Sequence, residues 1–432
     1  MFGIGDKKIS TESYKGVRDF YPQDQAVQKY IFGVMRSVAE SWGYVEYDAS
    51  ILEPLQLYKS KSSEEIVNEQ IYSFTDRGGR EVALRPEMTP TLARMIAGKI
   101  QELPSPTRWY SIPNLFRYEK PQRGRLREHW QLNMDIFGVS DLWAEVEIIS
   151  AAAGLMKRFG AKSKDFEIRI NSRNFLDDVF KKINIDDDKR QFVYRLLDKK
   201  SKMSDEDFKH SLIALIGEKN AEELLENLYF DEGMLTMMSH SPAAKRLNQT
   251  IEMLRENGVS NLVFAPTLTR GFDYYTGTVF EVFDTNKENP RALFGGGRYD
   301  DLVSAFTNQS VPAIGFGMGD VTIRDFLETH QLLPKINSTT NLYICVAPDT
   351  EMGEIYKVAE KFRKGGINVA VDISGRKLSD QLKSLDKRNI PYVSTIGTKE
   401  LKSKNFTVRN TETREEKSGN FEELISFIRS NS

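Results

Sequence analysis

The sequence is poor in the residues from which proteins build disulfide and metal frameworks. It contains one cysteine, Cys345, in 432 residues, which excludes an internal disulfide network and a zinc site made of cysteines. The four histidines are scattered and lack the spacing of a metal-ligand set; they are His129, His210, His240 and His330. We therefore predict no protein-bound structural metal.

An excess of one charge and long apolar segments are also lacking. Sixty Lys and Arg residues face 62 Asp and Glu residues, giving a net charge of −2, so global charge does not argue for nucleic-acid binding, although a local basic patch is compatible with it. There is no run of 18 apolar residues, and the N-terminal "MFGIGDKKIS" has no apolar signal core. We expect a cytoplasmic protein that does not bind membranes.

The length and texture of the chain indicate two or three domains. Residues 175–258 are charged, helix-forming and poor in glycine and proline, which predicts a helical module inserted into the first domain. A polar stretch at 332–341 is the predicted linker. After it, apolar strands alternate with helices, a pattern that predicts a small parallel sheet covered by helices.

The segment "NLFRYEKPQRGRLREHWQLNMDIFG" (114–138) is predicted to form two strands joined by a basic loop. Side chains on a strand alternate between its faces, so Gln131, Asn133 and Asp135 share one face of the returning strand. A solvated basic hairpin is the simpler interpretation. If the intervening apolar row packs into the core, however, the polar row must face water or a ligand.

The segment "APTLTRGFDYYTGTVFEVF" (265–283) places polar groups around an apolar strand. Glu281 lies within the strand, and Arg270, Asp273, Tyr274 and Tyr275 precede it. Buried charges are costly unless they are paired. A structural ion pair between Arg270 and Asp273 and a ligand site are both compatible with this pattern.

These two segments resemble known motifs. "FRYE" with its basic loop and returning strand resembles motif 2 of class II aminoacyl-tRNA synthetases, and "LTRGFDYYTGTVFEV" resembles the signature of the histidyl-tRNA synthetase family. "KGVRDFYP", "LRPEMTPTLAR", "FGGGRYDDLV" and "VDISGRKLSDQLKSLDK" fit the same family in the same order. The resemblance implies a catalytic domain over 1–335, interrupted by the insertion at 175–258, and an anticodon-binding domain over 339–432. The implied fold is an α+β catalytic domain with a mixed, mainly antiparallel sheet flanked by helices, a helical insert and a C-terminal α/β domain.

The resemblance also implies a reaction and its residues. A histidine–tRNA ligase would join L-histidine to ATP as histidyl-adenylate and then transfer it to the 3′ end of tRNA(His). Arg117 and Arg270 would hold the α-phosphate, where charge develops during the displacement. The implied histidine-binding residues are Glu87, Met88, Thr89, Gln131, Asp135, Arg270, Tyr274 and Tyr275. Asp135 and Tyr275 would take the two imidazole nitrogens; Tyr274 and Tyr299 are equally compatible with core packing, and Thr89 with a helix cap.

ATP, accompanied by Mg²⁺, would contact Arg117, Glu119 and the glycines Gly315, Gly317 and Gly319. The sequence departs from the family where motif 3 usually continues with Glu-Arg, because Val321 and Thr322 stand there. Arg324 lies two residues later, a helical offset of about 200°, so we expect it to face elsewhere. Three interpretations are compatible with the change: another cation contacts ATP, ATP binds differently, or activity is impaired. We favour a lineage variant of an active enzyme, because the other residues implied to contact the substrates are present.

The tRNA would contact Arg123 and Arg125 in the basic loop and Arg376 and Lys377 in the C-terminal domain. Arg376 and Lys377 are also compatible with a solvated helix start. A homodimer is implied, since "ILEPLQLY" resembles the family's dimer motif. The alternative function is a catalytically silent paralogue that acts as a regulatory subunit. Retention of the histidine signature and of a C-terminal domain favours the ligase.

Overall fold

The structure is a computed structural model of the 432-residue chain. It describes residues 9–59, 66–200, 203–229, 235, 238–270, 274–336, 338–385 and 388–430. The chain divides into two compact units, Met1–Leu333 and Pro334–Ser432.

Twelve strands are described in the first unit. They are β1 (Val45–Glu46), β2 (Leu52–Pro54), β3 (Tyr72–Thr75), β4 (Glu81–Leu84), β5 (Thr107–Ser111), β6 (Asn114–Phe116), β7 (Glu128–Phe137), β8 (Phe166–Ser172), β9 (Leu262–Phe264), β10 (Thr278–Asp284), β11 (Ala292–Arg298) and β12 (Ala313–Gly319). Nine of them form one sheet in the order β1-β5-β7-β12-β11-β10-β8-β9, with β6 also paired to β7. The pairs β1–β5 and β8–β9 are parallel, and the other pairs recorded among the described strands of this sheet are antiparallel. The expected mixed, mainly antiparallel sheet is confirmed.

Helices flank this sheet, and several of them lie between β8 and β9. The described helices of the first unit are α1 (Pro22–Ser41), α2 (Leu55–Lys59), a π-helical segment (Ile66–Gln70), α3 (Thr89–Gly98), α4 (Trp143–Arg158), α5 (Arg173–Lys182), α6 (Asp187–Lys199), α7 (Asp205–Ile216), α8 (Glu218–Tyr229), α9 (Pro242–Glu256), a 3₁₀ turn (Val303–Ala305) and α10 (Asp320–Thr329). Helices α5 to α9 correspond to the charged, helix-forming stretch of the sequence. None of the helices that the structure describes is both long and apolar enough to span a bilayer.

The alternation of β7 decides which face of the sheet becomes core. Leu132, Met134 and Ile136 are at most 1% exposed and join the same hydrophobic core as α4. Each such side chain stabilises the fold by about 1.5–3 kcal/mol relative to an exposed one. The intervening polar side chains of β7 are therefore held on the opposite face of the sheet.

A buried ion cluster fixes α4 to the rest of the first unit. The carboxylate of Glu145 is fully buried and accepts from Arg298 Nε and Nη2 at 2.8 and 2.5 Å. Arg246, from α9, lies 3.0 Å from the same carboxylate. Buried charges persist only when they are paired in this way.

β3 and β4 pair antiparallel and form a hairpin around the sequence "RGG". Pro54 pairs with Val82 as the last residue of β2, and α2 begins at the next residue. Proline is tolerated at a strand end that precedes a helix because neither position requires its missing N–H.

The second unit has a five-stranded sheet in the order β14-β13-β15-β16-β17. Its elements are β13 (Leu342–Val346), α11 (Met352–Lys364), β14 (Val369–Val371), α12 (Leu378–Lys383), β15 (Tyr392–Ile396), α13 (Thr398–Ser403), β16 (Phe406–Asn410), β17 (Glu416–Gly419) and α14 (Phe421–Ser430). β14, β13 and β15 are parallel, as the sequence predicts. β16 and β17 add an antiparallel hairpin that the expectation of a parallel sheet did not include.

Candidate functional site

The polar face of β7 lines a cavity in the first unit. Gln131, Asn133 and Asp135 all reach it, as their common strand face predicts. The cavity is lined by Glu87, Thr89, Arg117, Gln131, Asn133, Asp135, Arg270, Tyr274, Tyr275, Gly295, Tyr299, Gly315, Phe316 and Gly317. We call it the first cavity.

Glycines on β12 make room for the side chains of β7. Gly315 pairs with Asp135, and Gly317 pairs with Asn133. A Cβ at Gly315 would lie 1.9 Å from Asp135 Oδ1, and one at Gly317 would lie 2.4 Å from Gln131 Nε2. Any larger residue would therefore displace the side chains that line the cavity.

Asp135 is the buried carboxylate of the first cavity. It is 4% exposed and accepts a hydrogen bond from the hydroxyl of Tyr299. Burial raises the pKa of Asp135 to about 7, and the bond from Tyr299 opposes that rise. A donor supplied by a ligand would stabilise its charged form.

Tyr274 and Tyr275 form an aromatic wall beside acidic groups. Their ring centroids lie 5.0 Å apart, and Tyr274 donates to Glu87 Oε2 at 3.2 Å. Burial raises the pKa of Tyr275, and the charge of Arg270 opposes that rise, so the phenol stays protonated. Gln131 donates from Nε2 to Asn133 Oδ1 at 2.8 Å.

Arg270 reaches the cavity from the segment before β10. Its φ of 58° lies in the left-handed region, which is uncommon for a side chain of this size. Nη1 lies 3.4 Å from both Glu281 Oε1 and the Phe280 carbonyl oxygen. Burial alone would lower the pKa of Arg270, but Tyr275 and Glu281 outweigh it and raise the pKa. Glu281 is thus an ionic partner of Arg270; the alternative partner, Asp273, lies outside the described residues.

A second cavity adjoins the first. It is lined by Arg117, Glu119, Gly124, Arg125, Leu126, His129, Gln131, Leu293, Gly317, Gly319, Val321 and Thr322. Arg117, Gln131 and Gly317 line both cavities. Arg117 is held there by a 2.8 Å bond from Nε to the Pro86 carbonyl oxygen. A guanidinium group therefore marks the place where the two cavities meet.

His129 is a residue of this site that sequence reasoning missed. It belongs to the same face of β7 as Gln131, and burial together with Arg117 and Arg18 lowers its pKa to about 3. The imidazole is therefore neutral in the wall of the second cavity. The predicted returning strand included His129, and the alternation that identified Gln131 places His129 on the same face, but only Gln131, Asn133 and Asp135 were singled out there.

At the start of α10, Thr322 stands where motif 3 usually has its arginine, and Arg324 follows two residues later. Thr322 lines the second cavity, and its hydroxyl donates to the Leu293 carbonyl oxygen at 2.6 Å. Arg324 instead contacts Asp24 and Glu328 at 2.9 and 2.8 Å. It does face elsewhere, as its helical offset predicts.

The remaining predicted residues are distributed differently. Met88 is fully buried, and its sulfur lies 3.8 Å from Arg85 Nη1. Thr89 is the first residue of α3 rather than its cap. Gly315 lines the first cavity and Gly319 the second. Arg123 donates to Asn289 and Thr329 instead of lining either cavity. In the second unit, Arg376 and Lys377 are exposed before a helix of six residues.

Among the residues that the structure describes, no group of three or more His, Cys, Asp or Glu side chains is placed to hold a metal ion. The polar side chains that line the two adjoining cavities are arginines, amides, hydroxyls, carboxylates and one imidazole.

The sheet, the glycine-lined cavities and the arginine at their junction define a catalytic domain of the class II aminoacyl-tRNA synthetase type. A family model described as histidyl-tRNA synthetase matches residues 16–321, and one described as an anticodon-binding domain matches residues 342–431. The chain is 40% identical to a histidine–tRNA ligase of Leptospira biflexa over 98% of both chains. It is 38% identical to one of Thermoplasma volcanium over 97% of this chain and 99% of the relative.

The fold comparison agrees. The crystal structure of histidyl-tRNA synthetase from Nostoc sp. PCC 7120 superimposes with a TM-score of 0.84 over 98% of this chain and 100% of that chain, at 22% identity. The chain belongs to the histidyl-tRNA synthetase family. The predicted family and its enzyme class, aminoacyl-tRNA ligases that use ATP, are thereby confirmed.

Proposed function

We propose that this protein is a histidine–tRNA ligase that forms histidyl-adenylate in the paired cavities and transfers histidine to the 3′ end of tRNA(His). The observation that carries the proposal is the junction at Arg117. An acid-containing cavity and an arginine-containing cavity meet at one guanidinium group. This arrangement suits a reaction that joins an amino acid to a phosphate.

The amino acid occupies the first cavity in this proposal. Its ammonium group requires acceptors, which Glu87, Thr89 and the amide oxygen of Gln131 provide. Its imidazole lies between Asp135, which accepts from one nitrogen, and Tyr275, which serves the other. A side chain without these polar atoms would offer the buried Asp135 carboxylate no donor to add to Tyr299, so apolar amino acids are rejected.

Arg117 and Arg270 act on the α-phosphate. When the histidine carboxylate attacks the α-phosphorus and pyrophosphate leaves, negative charge builds on the phosphate oxygens. Both guanidinium groups line the first cavity. Arg270 is already held there by Glu281 and by the Phe280 carbonyl oxygen. Preorganised cations lower the barrier because no reorganisation is needed as the charge forms.

The nucleotide occupies the second cavity. Glu119 serves the adenine amino group, and the backbone at Gly317 and Gly319 lies against the nucleotide because no side chain intervenes. Gly315, predicted to contact ATP, is placed better for histidine, since it faces Asp135. Mg²⁺ accompanies the phosphates, with its ligands supplied largely by phosphate oxygens and water.

The tRNA contacts two regions in this proposal. Arg123 and Arg125 lie in the loop between β6 and β7, where the acceptor end would approach. Arg376 and Lys377 are exposed in the domain matched by the anticodon-binding family. Six residues make a short helix, so the side-chain charges, rather than a helix dipole, carry any attraction for the anticodon phosphates.

We also propose a homodimer that works in the cytoplasm. Val45, Leu52 and Phe74 are 63%, 39% and 51% exposed on short strands near the segment "ILEPLQLY". Exposed apolar side chains grouped in this way favour a protein interface. Sedimentation analysis should give twice the chain mass, and a monomer at micromolar concentration would contradict it.

Histidine-dependent ATP–pyrophosphate exchange tests the proposed reaction without tRNA. The parent should exchange, and Arg270→Ala should lower kcat by about 100-fold or more, the usual effect of removing one group that stabilises developing charge. Arg158→Ala, which removes an exposed arginine at the end of α4, is the matched control. A parent that binds histidine but does not exchange would favour the regulatory paralogue instead.

A further inference from the structure

The start of α10 contributes no guanidinium group to the nucleotide cavity. Thr322 lines the cavity, and its hydroxyl donates a hydrogen bond to the Leu293 carbonyl oxygen. Arg324, the nearest arginine on the helix, is bound to Asp24 and Glu328. Any replacement cation must therefore come from another element.

A third cavity extends from the second at this position. The two cavities share Gly124, Leu293 and Thr322. Arg291 lines the third cavity from the connection between β10 and β11. It makes no hydrogen bond or ion pair with any residue in the part of the chain that the structure describes.

Arg291 lies beside a second arginine. Partial burial and the positive charge of Arg125 lower the pKa of Arg291, and Glu119 opposes that change. Arg125 Nη1 lies 3.5 Å from Glu119 Oε2. Glu119 is thus the ion-pair partner of Arg125 and acts on Arg291 only through its charge, which leaves excess positive charge where the two cavities meet.

The other acidic groups of the third cavity do not remove this excess in the same way. Burial raises the pKa of Asp325, while Arg123 and the Gly124 backbone N–H, which donates to this carboxyl group, oppose the rise. Glu288 lines the cavity on an exposed turn. The charge pattern at Arg125 and Arg291 therefore favours an anion with several oxygens, which guanidinium groups bind well.

We propose that Arg291, together with Arg125, binds the β- and γ-phosphates of ATP and the pyrophosphate that leaves. This inference rests on the proposed function, because it takes the second cavity as the ATP site. Arg117 and Arg125 line that same cavity, so one triphosphate can contact Arg117 at its α-phosphate and the Arg125–Arg291 pair at its far end. Arg291 then supplies from the β10–β11 connection a cation that Thr322 does not.

The experiment compares Arg291→Ala, Arg291→Lys and Lys287→Ala in the full chain. Lys287 is an exposed cation in the same connection that lines none of the three cavities, so Lys287→Ala controls for net charge. Three measurements are made on each variant: binding of MgATP, pyrophosphate and AMP by calorimetry, the KM values for ATP, pyrophosphate and histidine in exchange, and the KM for tRNA in aminoacylation.

Arg291→Ala should weaken ATP and pyrophosphate by about tenfold, equivalent to about 1.4 kcal/mol, and leave AMP and histidine unchanged. Arg291→Lys should recover part of the loss, since lysine restores a charge without the planar fork. Lys287→Ala should match the parent. The difference between pyrophosphate and AMP is a readout that simple loss of stability would not produce.

Three results would overturn the inference. Equal pyrophosphate binding by Arg291→Ala and Lys287→Ala shows that Arg291 does not touch these phosphates. A loss confined to the KM for tRNA in aminoacylation assigns Arg291 to a backbone phosphate of the acceptor end. A parent that binds neither ATP nor pyrophosphate removes the site itself. If the parent binds ATP but does not exchange, the proposed function fails, while the binding comparison still decides the role of Arg291.

Discussion

Replacing Asp135 by asparagine should stabilise the ligand-free protein at pH 8 while abolishing histidine activation. The folded protein holds a proton on Asp135 up to about pH 7, whereas the unfolded chain releases it near 3.8. Over this interval the folded state binds more protons, so the free energy of unfolding of the parent falls as pH rises from about 4 to about 7. Asparagine does not titrate, and the variant escapes this loss.

The expected magnitude follows from the same pKa. At 1.36 kcal/mol per pKa unit, the stability advantage of the variant should be about 2–3 kcal/mol larger at pH 8 than at pH 5. The cost of burying the new amide is the same at both pH values and cancels from this comparison. The side-chain oxygen of asparagine can still accept from Tyr299, so the hydroxyl keeps a partner.

Urea unfolding followed by tryptophan fluorescence measures the free energy of unfolding of the first structural unit, which contains Asp135. All four tryptophans (Trp42, Trp109, Trp130 and Trp143) lie before residue 334. Asp301→Asn, which removes an exposed carboxylate from the same unit, is the matched control and should show no such change with pH. Saturating L-histidine should raise the midpoint of the parent at pH 8 and leave that of Asp135→Asn unaltered.

The reasoning would be refuted by a stability difference between Asp135→Asn and the parent that is equal at pH 5 and pH 8. That result would mean that the Asp135 carboxyl does not titrate between these values, so its burial is not the dominant influence. Persistent histidine-dependent exchange in the variant would separately remove Asp135 from imidazole recognition.

Three further predictions concern single residues. Tyr275→Phe should raise the KM for histidine by about tenfold, because one imidazole nitrogen loses its partner, with the KM for ATP unchanged in exchange assays. Glu145→Gln should lower the free energy of urea unfolding by about 3 kcal/mol, since it removes the buried anion that Arg298 and Arg246 share and leaves Arg298 only Asp300; a loss below 1 kcal/mol would contradict the importance of this cluster. Arg324→Ala should keep the KM for ATP within about twofold of the parent, because this side chain contacts Asp24 and Glu328, and exposed pairs contribute little; a large rise would place it in the nucleotide site.

Much of the site was predictable because local periodicity carries the information. The alternation of β7 correctly separated Leu132 and Met134, which are buried, from Gln131 and Asp135, which line the first cavity. That separation needs no knowledge of the partner strands, since every strand alternates.

Other contacts depend on the register between distant strands, which the sequence does not display. Tyr299 donates to Asp135, 164 residues away, and Gly315 lies opposite Asp135 because β12 pairs with β7 in that register. The same register divides the motif 3 glycines between the two cavities. Glu281 was visible as a carboxylate in need of a cation, but its pairing with Arg270 depends on the positive φ at Arg270.

The distribution of charge between the cavities gives a physical reason for the order of the reaction. In the proposed reaction, Glu87 and Asp135 of the first cavity face the ammonium and imidazole groups of the amino acid, with Arg270 beside the α-phosphate. Arg117 and Arg125 of the second cavity face the polyphosphate, and Glu119 faces the adenine. The two substrates are therefore drawn to opposite ends of Arg117, with the carboxylate of one and the α-phosphate of the other facing each other. In the proposed reaction, the adenylate would keep its contacts at both ends once the bond forms. Pyrophosphate would keep only those at Arg125 and Arg291, near the exposed turn, and would therefore be the product that leaves.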